Sequence, residues 1–146
     1  HRRPGPDPVT HADERPLDAL LDTSIFVAQE SGRTLNAGLL PQRGFVSAIT
    51  LAELEAGVLA ATEVGARAQR LRTLTGITGV EVLAIDAAAA HHWARLRVAV
   101  QQEGRRINVN DLWIAAVALA HDLPVVTQDA DFDPLAELGE LRVIRV

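Results

Sequence analysis

The sequence predicts an α/β fold in which a central, mostly parallel sheet is covered by helices on both faces. Short apolar runs of the length of buried strands alternate with longer segments whose apolar residues have helical spacing. Hydrophobic residues make up 48% of the 146 residues, which is enough for the core of one domain. Only 3% of residues are aromatic, so aliphatic side chains must fill this core, as in a parallel sheet buried on both faces.

The predicted elements alternate along the chain. The first strand, LDALL (17–21), leads into a helix that starts near Thr23 and Ser24. Further strands are predicted at 44–48, 80–86, 123–129 and 141–146. Further helices are predicted at 50–61, 65–75, 87–104, where Gly104 ends the helix, and 110–121. This order is typical of a three-layer α/β/α fold.

Composition excludes several classes of protein. Residues 1–16 carry four prolines and few apolar residues, which predicts a disordered or loosely attached tail before a domain at 17–146. The absence of Cys excludes disulfides and Cys-ligated metals. No apolar run reaches the roughly 18 residues of a membrane span, and no signal peptide is visible. These features favour a cytoplasmic protein without membrane attachment.

The charged residues narrow the function further. The net charge of −5 counts against a general nucleic-acid binder, which is usually basic. All 14 basic residues are Arg, so mechanisms that need an active-site Lys are excluded, including those of haloacid-dehalogenase phosphatases and receiver domains. A dinucleotide-binding domain is also excluded, because DTSIF follows the first strand where GxGxxG would be needed.

Five carboxylates occupy equivalent places in this pattern, at carboxyl ends of strands or amino ends of helices. They are Asp22, Glu53, Asp111, Asp129 and Asp131. In an open parallel sheet these ends share one edge, where ligands bind, so the five side chains are predicted to converge. Crowded carboxylates repel one another unless a cation lies among them, and an oxygen-only ligand set suits Mg²⁺ or Mn²⁺.

Each acid also has a purely structural interpretation. Thr50 and Glu53 fit a capping box, and Asn110 or Asp111 fits a helix cap. Asp22 fits a turn, and the segment 129–131 a polar loop. Capping alone does not explain why all of them fall at one edge of the sheet.

Other candidate sites are weaker. His91 and His92 are adjacent on a helix and cannot share a face, which argues against zinc. Ser24 has no GxSxG context, and GITGVE lacks the Lys of a phosphate loop.

Three segments, in order and with their spacing, resemble the PIN-domain ribonucleases, specifically the VapC toxins of bacterial type II VapBC toxin–antitoxin systems. The segments are LLDTSIF (20–26), VSAITLAELEAGV (46–58) and NDLWIAAVALAHDLPVVTQDADF (110–132). The resemblance covers about residues 17–146 and implies a PIN-like fold and a magnesium-dependent endoribonuclease. Its expected substrate is a structured RNA, tRNA or rRNA, whose cleavage inhibits translation and growth and leaves 5′-phosphate and 3′-hydroxyl ends.

The resemblance assigns roles to the acids by position. Asp22, Glu53 and Asp111 match the first three acids of the family, and the fourth falls on Asp129 or Asp131, which the sequence does not distinguish. We expect Asp22 and Asp111 to ligate the metal directly, and the others to bind it directly or through water, or to hold a second ion.

Supporting residues follow from the same comparison. Thr127 matches a hydroxyl residue often found near the site, and the helix amino termini at Asn110 and near Ser24 would face the phosphate. Arg105 and Arg106 are the expected RNA contacts, with Arg95 and Arg97 nearby. The alternative for these arginines is a solvated face or intrahelical ion pairs.

The family also implies partners. A cognate VapB antitoxin should block the site and cover an apolar helical surface around 35–41 and 51–61, unless the leucines there are ordinary core. A homodimer and a heterotetramer or larger complex are expected, with promoter DNA bound only through the antitoxin. The competing hypothesis is a catalytically silent PIN-like module that binds RNA or protein.

Overall fold

The computed structural model describes residues 15–146, in which strands and helices alternate along the chain. Their bounds are β1 (Asp18–Leu21), α1 (Thr23–Glu30), β2 (Arg43–Ser47), α2 (Ala48–Ala60), α3 (Val64–Gly76), β3 (Glu81–Leu83), α4 (Ala87–Gln102), α5 (Val109–Ala120), β4 (Val125–Thr127), α6 (Asp133–Glu137) and β5 (Val143–Arg145). The strands form a five-stranded sheet in the order β3-β2-β1-β4-β5. Every neighbouring pair is parallel. The predicted fold class is confirmed.

Alternate residues of each strand face opposite layers of helices. Leu20 and Phe45 belong to a core that also includes buried residues of α4, α5 and α6. Their neighbours Ala19 and Val46 belong to a second core with side chains of α1, α2 and α3. Both faces of the sheet are therefore buried, which is why the strand sequences are apolar runs and do not alternate with polar residues.

Helix α5 lies deepest in the molecule. Leu112 and all residues from 114 to 118 are buried, because the helix packs between the sheet and α4. A helix that is apolar on nearly all sides is expected in such a place. This burial holds the first turn of α5, and with it Asp111, in a fixed position at the edge of the sheet.

The bounds differ from the sequence prediction where hydrogen-bonded neighbours decide them. β3 was expected at 80–86 but pairs with β2 only over Glu81–Leu83, since it is an edge strand. The short helix α6 was not predicted. It begins after the buried Phe132 and carries Pro134 in its first turn, where the missing N–H costs nothing.

The prediction of a helical surface at 35–41 is wrong apart from a single 3₁₀ turn at Ala37–Leu39. Leu35 and Leu40 are partly buried against the second core. Leu59 on α2, by contrast, is 81% exposed and remains available on the surface.

The predicted tail falls almost entirely outside the described residues. Of its last two residues, Arg15 is exposed and Pro16 is buried. The Pro16 carbonyl accepts a hydrogen bond from the Gln42 amide (3.2 Å). The boundary at residue 17 stays a prediction. Within residues 15–146, no helix combines the length and apolarity needed to cross a bilayer.

Candidate active site

All five predicted carboxylates line one cleft at the carboxyl edge of the sheet, with a volume of about 310 Å³. Asp22 follows β1, while Asp129 and Asp131 follow β4, the neighbouring strand. Glu53 reaches the cleft from α2 and Asp111 from α5. Residues more than 100 positions apart thus meet in one place, as the shared edge of parallel strands requires.

Asp22 is the most enclosed of the five acids, with 3% of its surface exposed. Its Oδ1 accepts hydrogen bonds from the Ser24 amide (3.0 Å) and hydroxyl (2.5 Å), which also makes it the cap of α1. Its Oδ2 accepts from the Thr127 hydroxyl (2.9 Å). Burial raises the pKa of Asp22 to about 6, while the bonds from Ser24 and Thr127 act in the opposite direction.

Asp111 lies in the first turn of α5 and is half-buried. The helix is capped by Asn108, whose Oδ1 accepts from the amides of Asn110 (2.8 Å) and Asp111 (3.4 Å). The interpretation of Asn110 or Asp111 as the cap is therefore wrong. Capping by Asn108 leaves the Asp111 carboxylate for the cleft.

The pKa of Asp111 is raised to about 7, first by burial and then by the charge of Asp131. Asp22, Asp129 and Glu53 raise it further, in that order. The charged form of Asp111 is thus repelled by all four other acids of the cleft.

Glu53 is held by two side chains from other helices. The Thr23 hydroxyl donates to its Oε1 (2.5 Å), and the Asn110 amide donates to its Oε2 (3.2 Å). The capping-box interpretation is wrong, because α2 begins at Ala48 and is capped by Ser47, which places Glu53 in the second turn. The Glu53 carboxylate is therefore oriented by Thr23 and Asn110, and not by the start of its own helix.

Asp129 and Asp131 form a short acidic loop after β4. The Asp129 amide donates to Thr127 Oγ1 (3.3 Å), and its Oδ1 accepts from the Asp131 amide (3.1 Å). Asp131 is more exposed, yet its pKa is raised, first by partial desolvation and then by the charge of Asp129. Both carboxylates border the cleft, so the geometry does not favour one over the other.

Three further polar residues of the cleft were not predicted as part of the site. Thr23 was interpreted only as a helix start, although the hydroxyl of a residue just after Asp22 could have been considered as a support. Asn108 caps α5 and also lines the cleft, and its place two residues before Asn110 is a recognisable capping signal. Arg33 lines the cleft from the loop after α1, and no sequence pattern indicated it.

The chemistry of these residues fits a divalent cation. The cleft offers oxygen ligands, and the pKa values of Asp22, Asp111 and Asp131 are raised, first by burial and also by the charges of neighbouring acids. Within residues 15–146, no three acidic or His side chains are already arranged to hold one ion. Mg²⁺ does not require such a cage, since it usually retains several waters and binds through one or two carboxylates.

The predicted RNA-contacting arginines differ in their surroundings. Arg105 is paired with Glu137 on α6 (2.8 Å), and Arg95 is paired with Glu140 and contacts His92. Arg106 is exposed and lines a cleft of about 440 Å³ that also includes Asp111 and Asp131. Arg95 and Arg105 are therefore ion-paired, but their partners lie on other parts of the chain, so the pairs are not the intrahelical ones of the alternative.

Comparison with known proteins gives consistent matches. The family described as PIN domain matches residues 19–138. Ribonuclease VapC5 from Mycobacterium tuberculosis is 50% identical over 131 residues, covering 90% of this chain and 97% of the relative. The crystal structure of VapBC-5, a member of the VapBC family of toxin–antitoxin systems from the same species, matches with a TM-score of 0.83 at 48% identity. That match covers 90% of this chain and 100% of the other.

A more distant solved structure, DNA-bound VapBC from Salmonella typhimurium, has a TM-score of 0.73 at 25% identity and covers 88% of this chain and 98% of the other. The family match spans all five carboxylates of the cleft. The chain therefore belongs to the PIN-domain family and, within it, to the VapC ribonucleases.

Proposed function

We propose that this chain hydrolyses phosphodiester bonds within RNA by means of Mg²⁺, or Mn²⁺ in its place, held at the carboxylate cleft. PIN-domain ribonucleases generally depend on a divalent metal. The observation that carries the proposal is the position of Asp111, half-buried in a cleft with four other acids whose charges help to raise its pKa to about 7. Such repulsion is tolerated where a cation neutralises it.

Asp22 and Asp111 are the proposed direct ligands, because burial is the largest cause that raises their pKa values, to about 6 and about 7. Glu53, Asp129 and Asp131 would bind the cation directly or through water. A divalent cation in such a site polarises the phosphate and lowers the pKa of the attacking water.

Hydrogen bonds from the surrounding side chains orient the carboxylates. Ser24 and Thr127 each donate to a different oxygen of Asp22, so the plane of this carboxylate is set from two sides. Thr23 and Asn110 do the same for Glu53. Residues that orient metal ligands are worth about 10–100-fold in metal affinity or activity. The amino ends of α1 and α5 add partial positive charge beside the proposed phosphate position.

The biological role follows from the family. We infer that the chain is the toxin of a toxin–antitoxin pair, with a VapB antitoxin as its partner, and that it forms dimers and larger complexes with that antitoxin. VapBC-5 is a toxin–antitoxin system, and VapBC from Salmonella typhimurium has been solved with DNA bound. Promoter DNA would accordingly be bound through the antitoxin, since the chain itself has a net charge of −5. A structured tRNA or rRNA is the proposed substrate, and its cleavage would stop translation.

The direct test is metal-dependent RNA cleavage by the purified chain. We expect cleavage of cellular tRNA and rRNA with Mg²⁺ or Mn²⁺, and none with EDTA, because the carboxylates alone cannot activate water. Mapping the 5′ ends should give 5′-phosphates at a small number of positions. Equal cleavage in EDTA would contradict the metal mechanism. Absence of both Mn²⁺ binding and cleavage would favour the silent binding module.

Thr127→Val should weaken metal binding about 10–100-fold and shift its pH dependence upward. Carboxylates bind metal when deprotonated, so affinity should rise as pH passes the pKa values of Asp22 (about 6) and Asp111 (about 7). The bond from Thr127 lowers the pKa of Asp22, so its loss raises that pKa and moves the rise to higher pH. Titration with Mn²⁺ between pH 4 and pH 9, about two units either side of these values, measures the effect.

Two variants control this experiment. Thr127→Ser retains the hydroxyl and should restore most of the affinity and the original pH dependence. Thr62→Val makes the same chemical change at an exposed position and should alter neither. An unchanged pH dependence in Thr127→Val would show that the hydroxyl does not act on Asp22.

A further inference from the structure

A second groove lies beside the carboxylate cleft, between α4 and α5, with a volume of about 500 Å³. Arg97, Arg105 and Arg106 line it together with apolar residues such as Val100 and Ile107. The turn that forms it is well defined. Gly104 adopts a left-handed φ of +65°, and the Arg105 amide donates to the Val100 carbonyl (3.0 Å). The arginine groove, defined by Arg97, Arg105 and Arg106, is therefore built into the end of α4.

The arginine groove is connected to the carboxylate cleft through shared lining residues of a third cleft between them. Arg106 and Ile107 also line the intermediate cleft of about 440 Å³, which includes Asn108, Asp111 and Asp131. Those last three residues also line the carboxylate cleft. A surface path thus runs from Arg97 past Arg106 to the carboxylates.

Arg33 lines the carboxylate cleft together with Thr23 and Val27, whereas Arg106 lines the intermediate cleft. Basic side chains therefore stand at separate places around the five acids.

One arginine of the groove forms an ion pair with a carboxylate, and the other two have different surroundings. Arg105 is engaged by Glu137 (2.8 Å). Arg97 lies over the ring of Trp93 (5.6 Å from guanidinium carbon to ring centroid), and Arg106 is exposed. The ion pairs formed within residues 15–146 include neither of these two, nor Arg33. Their guanidinium groups can accordingly bind phosphate without first giving up a carboxylate partner from residues 15–146.

We propose that a single strand of RNA runs along this path, with Arg97 and Arg106 contacting phosphates on one side of the cleaved bond and Arg33 a phosphate on the other. The proposal rests on the proposed function in taking RNA as the ligand. An acidic chain with five carboxylates at its site repels a polyanion, so attraction must come from basic groups nearby. Guanidinium groups match the geometry of phosphate, and a groove of positive charge that follows the backbone is typical of single-strand binding.

The test measures RNA binding separately from cleavage. All proteins carry Asp111→Asn and are studied in EDTA, so that the metal-dependent reaction cannot occur. The probe is a fluorescein-labelled single-stranded RNA of mixed sequence, and anisotropy gives its affinity over a range of salt concentrations. The variants are Arg97→Ala with Arg106→Ala, and separately Arg33→Ala. The matched control is Arg72→Ala with Arg142→Ala, which removes the same charge at exposed positions outside the path.

Each lost phosphate contact should reduce the slope of log affinity against log salt by about 0.7 for a single strand. We expect a reduction of about 1.4 for the Arg97 and Arg106 double variant and about 0.7 for Arg33→Ala, with no change for the control. Equal slopes in the double variant and the control would overturn the proposal. An altered oligomeric mass of the double variant with unchanged RNA affinity would assign the groove to a second copy of the chain and would also overturn it.

Because binding is measured without cleavage, the two proposals fail separately. A chain that cleaves RNA in Mg²⁺ but binds it independently of these arginines retains the proposed function and loses the path. A chain that binds RNA along the path but never cleaves it retains the path and loses the catalytic proposal.

Discussion

Replacing Asp111 by Asn is expected to lower the rate of RNA cleavage at least about a hundredfold, because even residues that only orient a metal ligand are worth 10–100-fold. Asn retains the shape of the side chain and the helix position, while the charge that attracts the cation is lost. The measurement is the initial rate on total RNA with saturating Mg²⁺, combined with the affinity for Mn²⁺. Both should fall together if Asp111 is a ligand.

The stability of the same variant separates loss of the metal from loss of the fold. The pKa of Asp111 is raised by burial and by four acids, so its charged form is unfavourable in the metal-free protein. Raising the pH from below 3.8 to above about 7 should therefore destabilise the metal-free wild type through this group, because the folded state holds its proton more tightly than the unfolded chain. In Asp111→Asn this loss is absent, so its Tm in EDTA at pH 8 should equal or exceed that of the wild type.

Asp18→Asn provides the matched control. Asp18 is the exposed first residue of β1, at the opposite end of this strand from Asp22. The same substitution there removes the same charge without touching the cleft, and we expect wild-type cleavage. If Asp111→Asn cleaved RNA as fast as Asp18→Asn, Asp111 would not be a ligand.

Phe132→Ala should lower the free energy of unfolding by about 3–5 kcal/mol, the range for removing a buried aromatic ring. Phe132 is fully buried in the core that contains α4, α5 and α6. Its carbonyl accepts hydrogen bonds from the amides of Leu135 (3.0 Å) and Ala136 (3.2 Å), at the start of α6. Because Phe132 directly follows Asp131, loss of the ring should also loosen the acidic loop and weaken metal binding.

Urea unfolding in EDTA measures the change in stability without a contribution from bound metal. Phe132→Leu retains most of the buried volume, so we expect it to lower the free energy of unfolding by less than about 1.5 kcal/mol. If Phe132→Ala lowered the free energy of unfolding by a similarly small amount, the ring would not anchor this loop. Mn²⁺ titration of the folded variants then measures how far metal affinity depends on the Phe132 ring.

The fold class and the convergence of the acids were both predictable, and for one reason. Apolar strand runs that alternate with helices indicate a parallel sheet, and the carboxyl ends of parallel strands must share an edge. Asp22 and Asp129 follow neighbouring strands, so their meeting required no knowledge of side-chain geometry. Asp111 was predictable at the same edge from the apolar helix that follows it.

The caps were predicted less well, because several polar residues near a helix start are compatible with the same pattern. Asn108 caps α5 where Asn110 or Asp111 was expected, and Ser47 caps α2 where Thr50 and Glu53 fitted a capping box. One or two residues of difference in the helix start decide which side chain is the cap and which is free for the cleft. That start is determined by packing against the sheet, which local patterns do not describe.

By itself, the sequence determined a parallel α/β domain with an acidic site at one edge, since both follow from periodicity and strand order. Only the tertiary structure decided how that site is held and approached. Thr23 bonds to Glu53 across 30 positions and Thr127 to Asp22 across 105, and Arg33 reaches the cleft from a loop without a recognisable pattern. Such contacts depend on distances of a few ångströms between separate elements, which hydrophobic spacing does not specify because it records which face of an element is buried and not which side chain it meets.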